Sequence, residues 1–223
     1  MTEEELNELI SHCPRLYHMA EIGAWNGIKD LGLLSTSALL DLYSVDTDLR
    51  FQLESCRRDS THKLSSNGLT GAAIRDQLPM DDKGLRRALP ADITPREWYE
   101  FLNKRVFFWL SEDRLKRLKN AKAYKSSEHE IIVVDTRRLV DAYKQKIMFC
   151  PINSGCTKPF PHSRDFNTFS RIESYPYDYW KSKRRVGERV VELCVDEGVP
   201  DLVDYVLDVY VLKGDERTEL DWK

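Results

Sequence analysis

The sequence predicts an α+β domain. In some stretches apolar residues recur at helical spacing, with Ile22, Trp25, Ile28 and Leu31 as the clearest case. Others, such as RVFFWLS (105–111) and the Ile131–Val134 run, are short, β-branched and aromatic, the composition of central strands. No internal repeat or low-complexity linker separates the two kinds, so the 223 residues are expected to form one domain.

Taken in order, residues 2 to 12 predict a helix capped by Thr2, with Glu3 to Glu5 where the helix dipole favours negative charge and Pro14 beyond its end. RLYHMA (15–20) predicts the first strand, and a helix follows that ends at a left-handed Gly32. Residues 36 to 58 keep helical spacing in one helix or two. The polar 60–71 stretch predicts a loop, with a strand at most at its end. A short helix near 81–89 and a helix over 94–105, with Thr94 as N-cap and Pro95 at its first turn, lead into the 105–111 strand. EDRLKRLKNAKAY reads as helix, Ile131–Val134 as a buried strand, and a helix opens near Asp135 or Thr136. Residues 150–187, rich in proline, form a long irregular connection of the kind that carries function. A strand at 189–195, a Gly-Val-Pro turn, a short helix and a strand near 207–212 close the chain.

The net charge of −3 argues against coating nucleic acid through bulk electrostatics. Two basic clusters, 113–125 and 180–189, are solvated faces or local phosphate sites. No stretch approaches the ~18 apolar residues of a spanning helix, and the first residues are acidic where a secretion signal would be basic. No membrane association is expected, and residence in the cytosol is. The cysteines at 13, 56, 150, 156 and 194 form an odd, scattered set and predict free thiols. Cys150, Cys156 and His162 lack the spacing of common zinc modules and an evident fourth ligand, so no metal is expected. Walker, G-x-G-x-x-G, H-E-x-x-H and G-x-S-x-G motifs do not occur.

The candidate chemistry lies in dispersed polar residues at strands: His18, Arg75, Trp109 and Glu192. A histidine inside Leu16-Tyr17-His18-Met19 needs a partner for its polar edge, as a core residue or as a ligand contact. Glu192 alternates with Val190 and Cys194, which shelters its carboxylate at least in part.

LYHMAEIGAWNGIKDLGLLS resembles the opening strand, helix and GLLS turn of DarT-like ADP-ribosyltransferases. RVFFWLS looks like the aromatic strand of that family, and VVELCVDEGVPDLVDYVLDV looks like its closing unit. The chain is also similar to bacterial proteins sharing IRDQ, VFFWL and RDFNTF, a domain of unknown function. The resemblance implies an ADP-ribosyltransferase-like split β-sheet core with flanking helices and a 150–187 segment facing the target. It implies NAD as substrate, cleaved to nicotinamide, with ADP-ribose passed to an acceptor such as a nucleic-acid base.

Residue by residue, His18 would donate a hydrogen bond to a ribose hydroxyl and Met19 would offer backbone groups to the nicotinamide amide. Ser35, in the GLLS turn, would join the cofactor-binding set. Trp109 would stack on the nicotinamide ring or pack in the core. Arg75 would serve the phosphates or the target, with Arg57, Arg58 and Arg105 as competitors. Glu192 would be catalytic, because an anion on a ribose hydroxyl stabilises the cationic sugar of the transition state; Glu188 competes for that place. Position 190 is valine where arginine-specific transferases carry the first residue of a Glu-x-Glu or Gln-x-Glu pair, so protein-arginine modification loses support. Within 164–185, Arg164, Arg171, Lys181, Lys183, Arg184 and Arg185 would meet the phosphates of single-stranded DNA or RNA, and Tyr175, Tyr177, Tyr179 and Trp180 would stack on bases. The alternative there is a packed aromatic corner with a solvated basic helix. A toxin or antiphage role, with an antitoxin or other regulator as partner, would follow. Two other readings remain: a non-enzymatic nucleotide- or partner-binding module on the same fold, and an RNA 2′-phosphotransferase-like enzyme.

Overall fold

The structure, a computed structural model, describes residues 1–222. Helix α1 (Glu3–His12) opens on a reciprocal cap in which Thr2 Oγ1 accepts from the Glu5 N–H at 3.2 Å and Glu5 Oε2 accepts from the Thr2 N–H at 2.6 Å. Leu6, Leu9 and Ile10 bury one face of it. Strand β1 (Arg15–Glu21) follows Pro14, then α2 (Trp25–Leu31), the two-residue β2 (Leu33–Leu34) and α3 (Thr36–Leu42), whose N-cap is Ser35. Gly32 ends α2 with φ of 80°. The predicted 36–58 helix is two pieces: Ser44, with φ of 50°, breaks the chain before α4 (Thr47–Arg50), which runs into a π turn over Phe51–Ser55.

The stretch expected to be a loop is a hairpin, β3 (His62–Ser66) and β4 (Leu69–Ile74), turning at Gly68 with φ of 85°. Helix α5 (Asp82–Ala88) and α6 (Pro95–Asn103) precede β5 (Arg105–Trp109). Thr94 caps α6 and Pro95 occupies its first turn, where a missing N–H costs nothing. Helix α7 (Glu112–Lys119) stops short of the predicted Tyr124 because the chain turns at 121–127 into β6 (Glu128–Asp135). Then come α8 (Thr136–Tyr143), β7 (Ile147–Cys150), β8 (Ser170–Arg171), α9 (Tyr177–Lys183) and β9 (Glu192–Asp196). The strand expected from 189 starts at 192, after a 3₁₀ turn over Val186–Glu188. Strands β10 (Gly198–Val199), β11 (Val206–Lys213) and β12 (Glu216–Glu219) end the chain.

Among the described residues eight strands form one antiparallel sheet in the order β12-β11-β6-β1-β5-β9-β7-β8. On its β6 side, β1 is paired along its whole length, from Arg15 opposite Asp135 to Glu21 opposite His129. On its β5 side it keeps the single pair Tyr17 and Trp109. Beyond β5 the ladder is complete again, Arg105 opposite Asp196 through Trp109 opposite Glu192. The sheet is therefore split between β1 and β5 into two four-stranded halves. A shared core holds them together on one face, where Leu16, Ile132 and Val134 from one half meet Phe108, Leu193 and Val195 from the other.

Helix α2 and the hairpin stack beside this opening. They approach so closely that a Cβ on Gly27 would lie 2.3 Å from Gly71 O, so neither backbone has room for a side chain at Gly27.

Candidate functional site

The split opens into a cleft of about 320 Å³, within the range of ordinary small-molecule sites. His18, Met19, Ser35, Arg75, Trp109 and Glu192 all line it. By register, His18 belongs to the face of β1 that carries Leu16, whereas Glu192 stands opposite Trp109 on the other face. Residues from opposite faces of a sheet reach one cleft because the strands part between them.

His18 spans the gap. Its Nδ1 lies 2.9 Å from Phe107 O; a carbonyl oxygen only accepts, so Nδ1 carries the proton. Burial, against the opposing effect of that hydrogen bond and aided by the nearby Arg75 charge, lowers the imidazole to about 4. The ring is thus neutral at physiological pH, and Nε2 offers a lone pair. With Nδ1 donating to Phe107 O, Nε2 is the ring nitrogen left free to accept, whereas the resemblance implied a ring that donates to a ribose hydroxyl.

Glu192 is 3% exposed. Its Oε1 and Oε2 accept from one backbone donor, the Ser154 N–H, at 3.1 and 3.2 Å. Burial raises the carboxyl to about 7, against the hydrogen bonds from Ser154 and the positive charges of Arg164 and Arg114. Its cross-strand partners Trp109 and Cys150 flank it on β5 and β7. The competitor Glu188 is committed elsewhere, to ion pairs with Arg114 and, at 3.3 Å, Arg117.

Arg75 follows β4. Its Nη1 donates to Met19 O at 2.9 Å and its guanidinium lies over the Tyr124 ring, 4.9 Å from the centroid. Its Nε has no hydrogen-bond partner, with Glu21 Oε2 3.8 Å away. The competing arginines are spent. Arg57 donates to Met80 O at 2.5 Å, and buried Arg58 braces Arg75 itself, its Nε 2.7 Å from Arg75 O. Arg105 pairs with Asp196 at 2.8 Å and lies 3.8 Å over Phe101. Met19 O, pointing at Arg75, marks the unladdered edge of β1, and the Met19 N–H projects the same way. Trp109 is a half-buried wall packed against the cluster of Met19, Leu115 and Tyr124. Ser35 Oγ accepts from the Ala38 N–H at 3.2 Å and so fixes the start of α3 at the rim.

Three of the basic and aromatic residues of 164–185 turn inward. Arg164, Tyr175 and Tyr177 are 3%, 2% and 1% exposed, so they are not available to phosphates or bases. Tyr175 donates to Arg189 O at 2.6 Å, as a buried phenol must find a partner. Arg171 pairs with Asp196 at 2.5 Å, Lys181 with Glu8 at 2.6 Å, and Arg184 lies 4.0 Å over the Trp180 ring. Tyr179, Lys181, Lys183 and Arg185 stay exposed. The loop through Asn153, Ser154 and Gly155 joins the cleft wall, as do Asn103 and Tyr124; its Gly and Pro content marked it as irregular without marking the backbone N–H that matters. Among the described residues no group of three or more His, Cys, Asp or Glu side chains is arranged to hold a metal ion. None of the described helices is long and apolar enough to cross a membrane.

Comparison with known proteins gives three findings. A family model described as "Family of unknown function (DUF7002)" matches residues 14–206. No curated protein matches. Among solved structures, the chain is similar to Thermus sp. 2.9 DarT in complex with NAD+, with 14% identity over 88% of this chain and 81% of that chain and a TM-score of 0.38.

Proposed function

Because the chain belongs to the DUF7002 family, whose function is unknown, we propose its activity from the site itself: NAD-dependent ADP-ribosyl transfer on an ADP-ribosyltransferase-like split sheet. The observation that carries this reading is that His18 and Glu192, remote in sequence, line one cleft in the split.

The reaction breaks the bond between ribose C1′ and the nicotinamide nitrogen. The electron pair leaves with nicotinamide, and an acceptor nucleophile bonds to C1′ and gives up its proton to solvent. Positive charge builds on the sugar as the bond lengthens. Glu192, ionised and accepting from a ribose hydroxyl, stabilises that charge more in the transition state than in the ground state, and its shelter from water strengthens the effect. His18 Nε2 accepts from a second ribose hydroxyl. Trp109, cross-strand from Glu192, stacks on the nicotinamide ring. The Met19 N–H meets the carboxamide, Ser35 donates its hydroxyl proton, and the Arg75 guanidinium, part of the cleft wall, supplies the positive charge for a phosphate oxygen. The acceptor in this reading is a nucleic-acid base, with the exposed Tyr179, Lys181, Lys183 and Arg185 as its candidate contacts.

The test is nicotinamide release from NAD by purified protein, alone and with single-stranded DNA or RNA. Release that falls by about 10²-fold or more in Glu192→Gln supports the mechanism. Full activity in that variant sinks it. Saturable NAD binding with no release assigns the chain to a binding module.

A further inference from the structure

We infer that Arg164 is a positioning residue for Glu192, its buried guanidinium fixing the 151–157 loop so that the Ser154 N–H holds the carboxylate toward the cleft. The inference rests on the reading of Glu192 as catalytic.

Every nitrogen of the Arg164 side chain is spent on a backbone carbonyl. Nη1 donates to Ser154 O at 2.8 Å, Nη2 to Cys156 O at 2.9 Å and Nε to His162 O at 2.9 Å. Such a pattern belongs to a planar fork; a lysine ammonium on a flexible stem does not reproduce it. The carbonyl that Nη1 holds belongs to the residue whose N–H meets both oxygens of Glu192. The assembly is anchored outside the cleft as well. The Arg164 N–H donates to Ala88 O at 2.9 Å, at the end of α5, and the Thr157 N–H to Pro79 O at 3.1 Å, while Thr157 Oγ1 accepts from the Asp81 N–H at 3.0 Å. Arg164 also brings a positive charge near a sheltered carboxylate. The other groups facing Glu192 are Arg114 from α7, Cys150 from β7 and Cys194 on its own strand, and neither thiol is ionised at neutral pH because burial raises both. Among the described residues Arg164 and Arg114 are the cations that act most strongly on it.

Two variants separate the geometry from the charge: Arg164→Met, similar in length and neutral, and Arg164→Lys, charged without the fork. Both are expected to lower kcat for nicotinamide release about 10- to 100-fold, with KM for NAD within about twofold of wild type. The Glu192 carboxyl, followed by ¹³C NMR and assigned with Glu192→Gln, is expected to titrate about one pH unit higher in Arg164→Met and closer to wild type in Arg164→Lys. Wild-type kcat in both variants, or an unmoved carboxyl titration in folded Arg164→Met, overturns the assignment. The titration needs no turnover, so a protein that releases no nicotinamide refutes the NAD reading while the NMR result still decides the role of Arg164. Should Arg164→Met fail to fold, Arg164→Lys decides alone: unchanged kcat with an unchanged Glu192 signal overturns the proposal, and a loss of about tenfold or more at wild-type KM supports it.

Discussion

Replacing Glu192 by glutamine should stabilise the protein, and the gain should grow with pH. The carboxyl titrates at about 7 in the folded chain against 4.5 for an ordinary glutamate, chiefly because it is buried. Between those two values the folded state keeps a proton that the unfolded chain has released. Stability therefore falls as pH rises through this window, at up to about 1.4 kcal/mol per pH unit, and levels off above 7. The whole penalty for ionising Glu192 is about 3 kcal/mol. Glutamine has the same shape, keeps an oxygen for the Ser154 N–H and never ionises. Urea denaturation of both proteins from pH 4.5 to 8.5, read by tryptophan fluorescence, should give curves whose ΔG difference widens by about 3 kcal/mol toward high pH at unchanged m-value, or ~6–12 °C in Tm for a chain of this size. A difference independent of pH would refute the claim that the folded chain shelters an ionisable Glu192.

The same carboxyl should give kcat/KM for nicotinamide release an acid limb near pH 7, activity rising as Glu192 ionises. His18 has the opposite sign: lowered to about 4 from 6.5, it binds fewer protons folded than unfolded, so its contribution to stability is lost as pH falls from 6.5 toward 4. His18→Phe should lose about 1–3 kcal/mol at pH 7, where it strands Phe107 O, and should show a smaller loss relative to wild type at pH 4.5 in the same urea titrations. Arg75→Gln should raise KM for NAD about tenfold, as the loss of a charge-assisted contact does, with kcat less affected in steady-state kinetics. Gly27→Ala should cost about 1–3 kcal/mol in thermal unfolding, since its Cβ meets backbone at 2.3 Å and neither α2 nor the hairpin can yield by moving a side chain alone.

Local chemistry made much of this legible. The Thr2 and Thr94 caps, Pro95 in the first turn of α6, and Gly32 at the end of α2 are encoded within a few residues of where they act, and all appear in the structure. The Ile131–Val134 run reads as a buried strand because both of its faces are covered. What escaped depends on partners elsewhere. β12 is exposed along its length and exists by pairing with β11, and the polar hairpin β3–β4 has little apolar pattern to announce it. Tyr175 and Tyr177 take the packed aromatic corner that the sequence left open as an alternative, whereas Arg164 read as a phosphate contact because nothing in its neighbourhood reveals the carbonyls that take it in. The six residues singled out along the chain line one cleft, yet which ring nitrogen of His18 carries the proton was not legible, since it is fixed by a carbonyl on another strand.

A sheet joined laterally at Tyr17 and Trp109 behaves like a book with one stitch in its spine. The unladdered amides of β1 and β5 should exchange with solvent sooner than those in the complete β1–β6 and β5–β9 ladders on either side. Any molecule seated in the cleft would touch His18 and Met19 on one page and Trp109 and Glu192 on the other, adding a second stitch where the backbone supplies one.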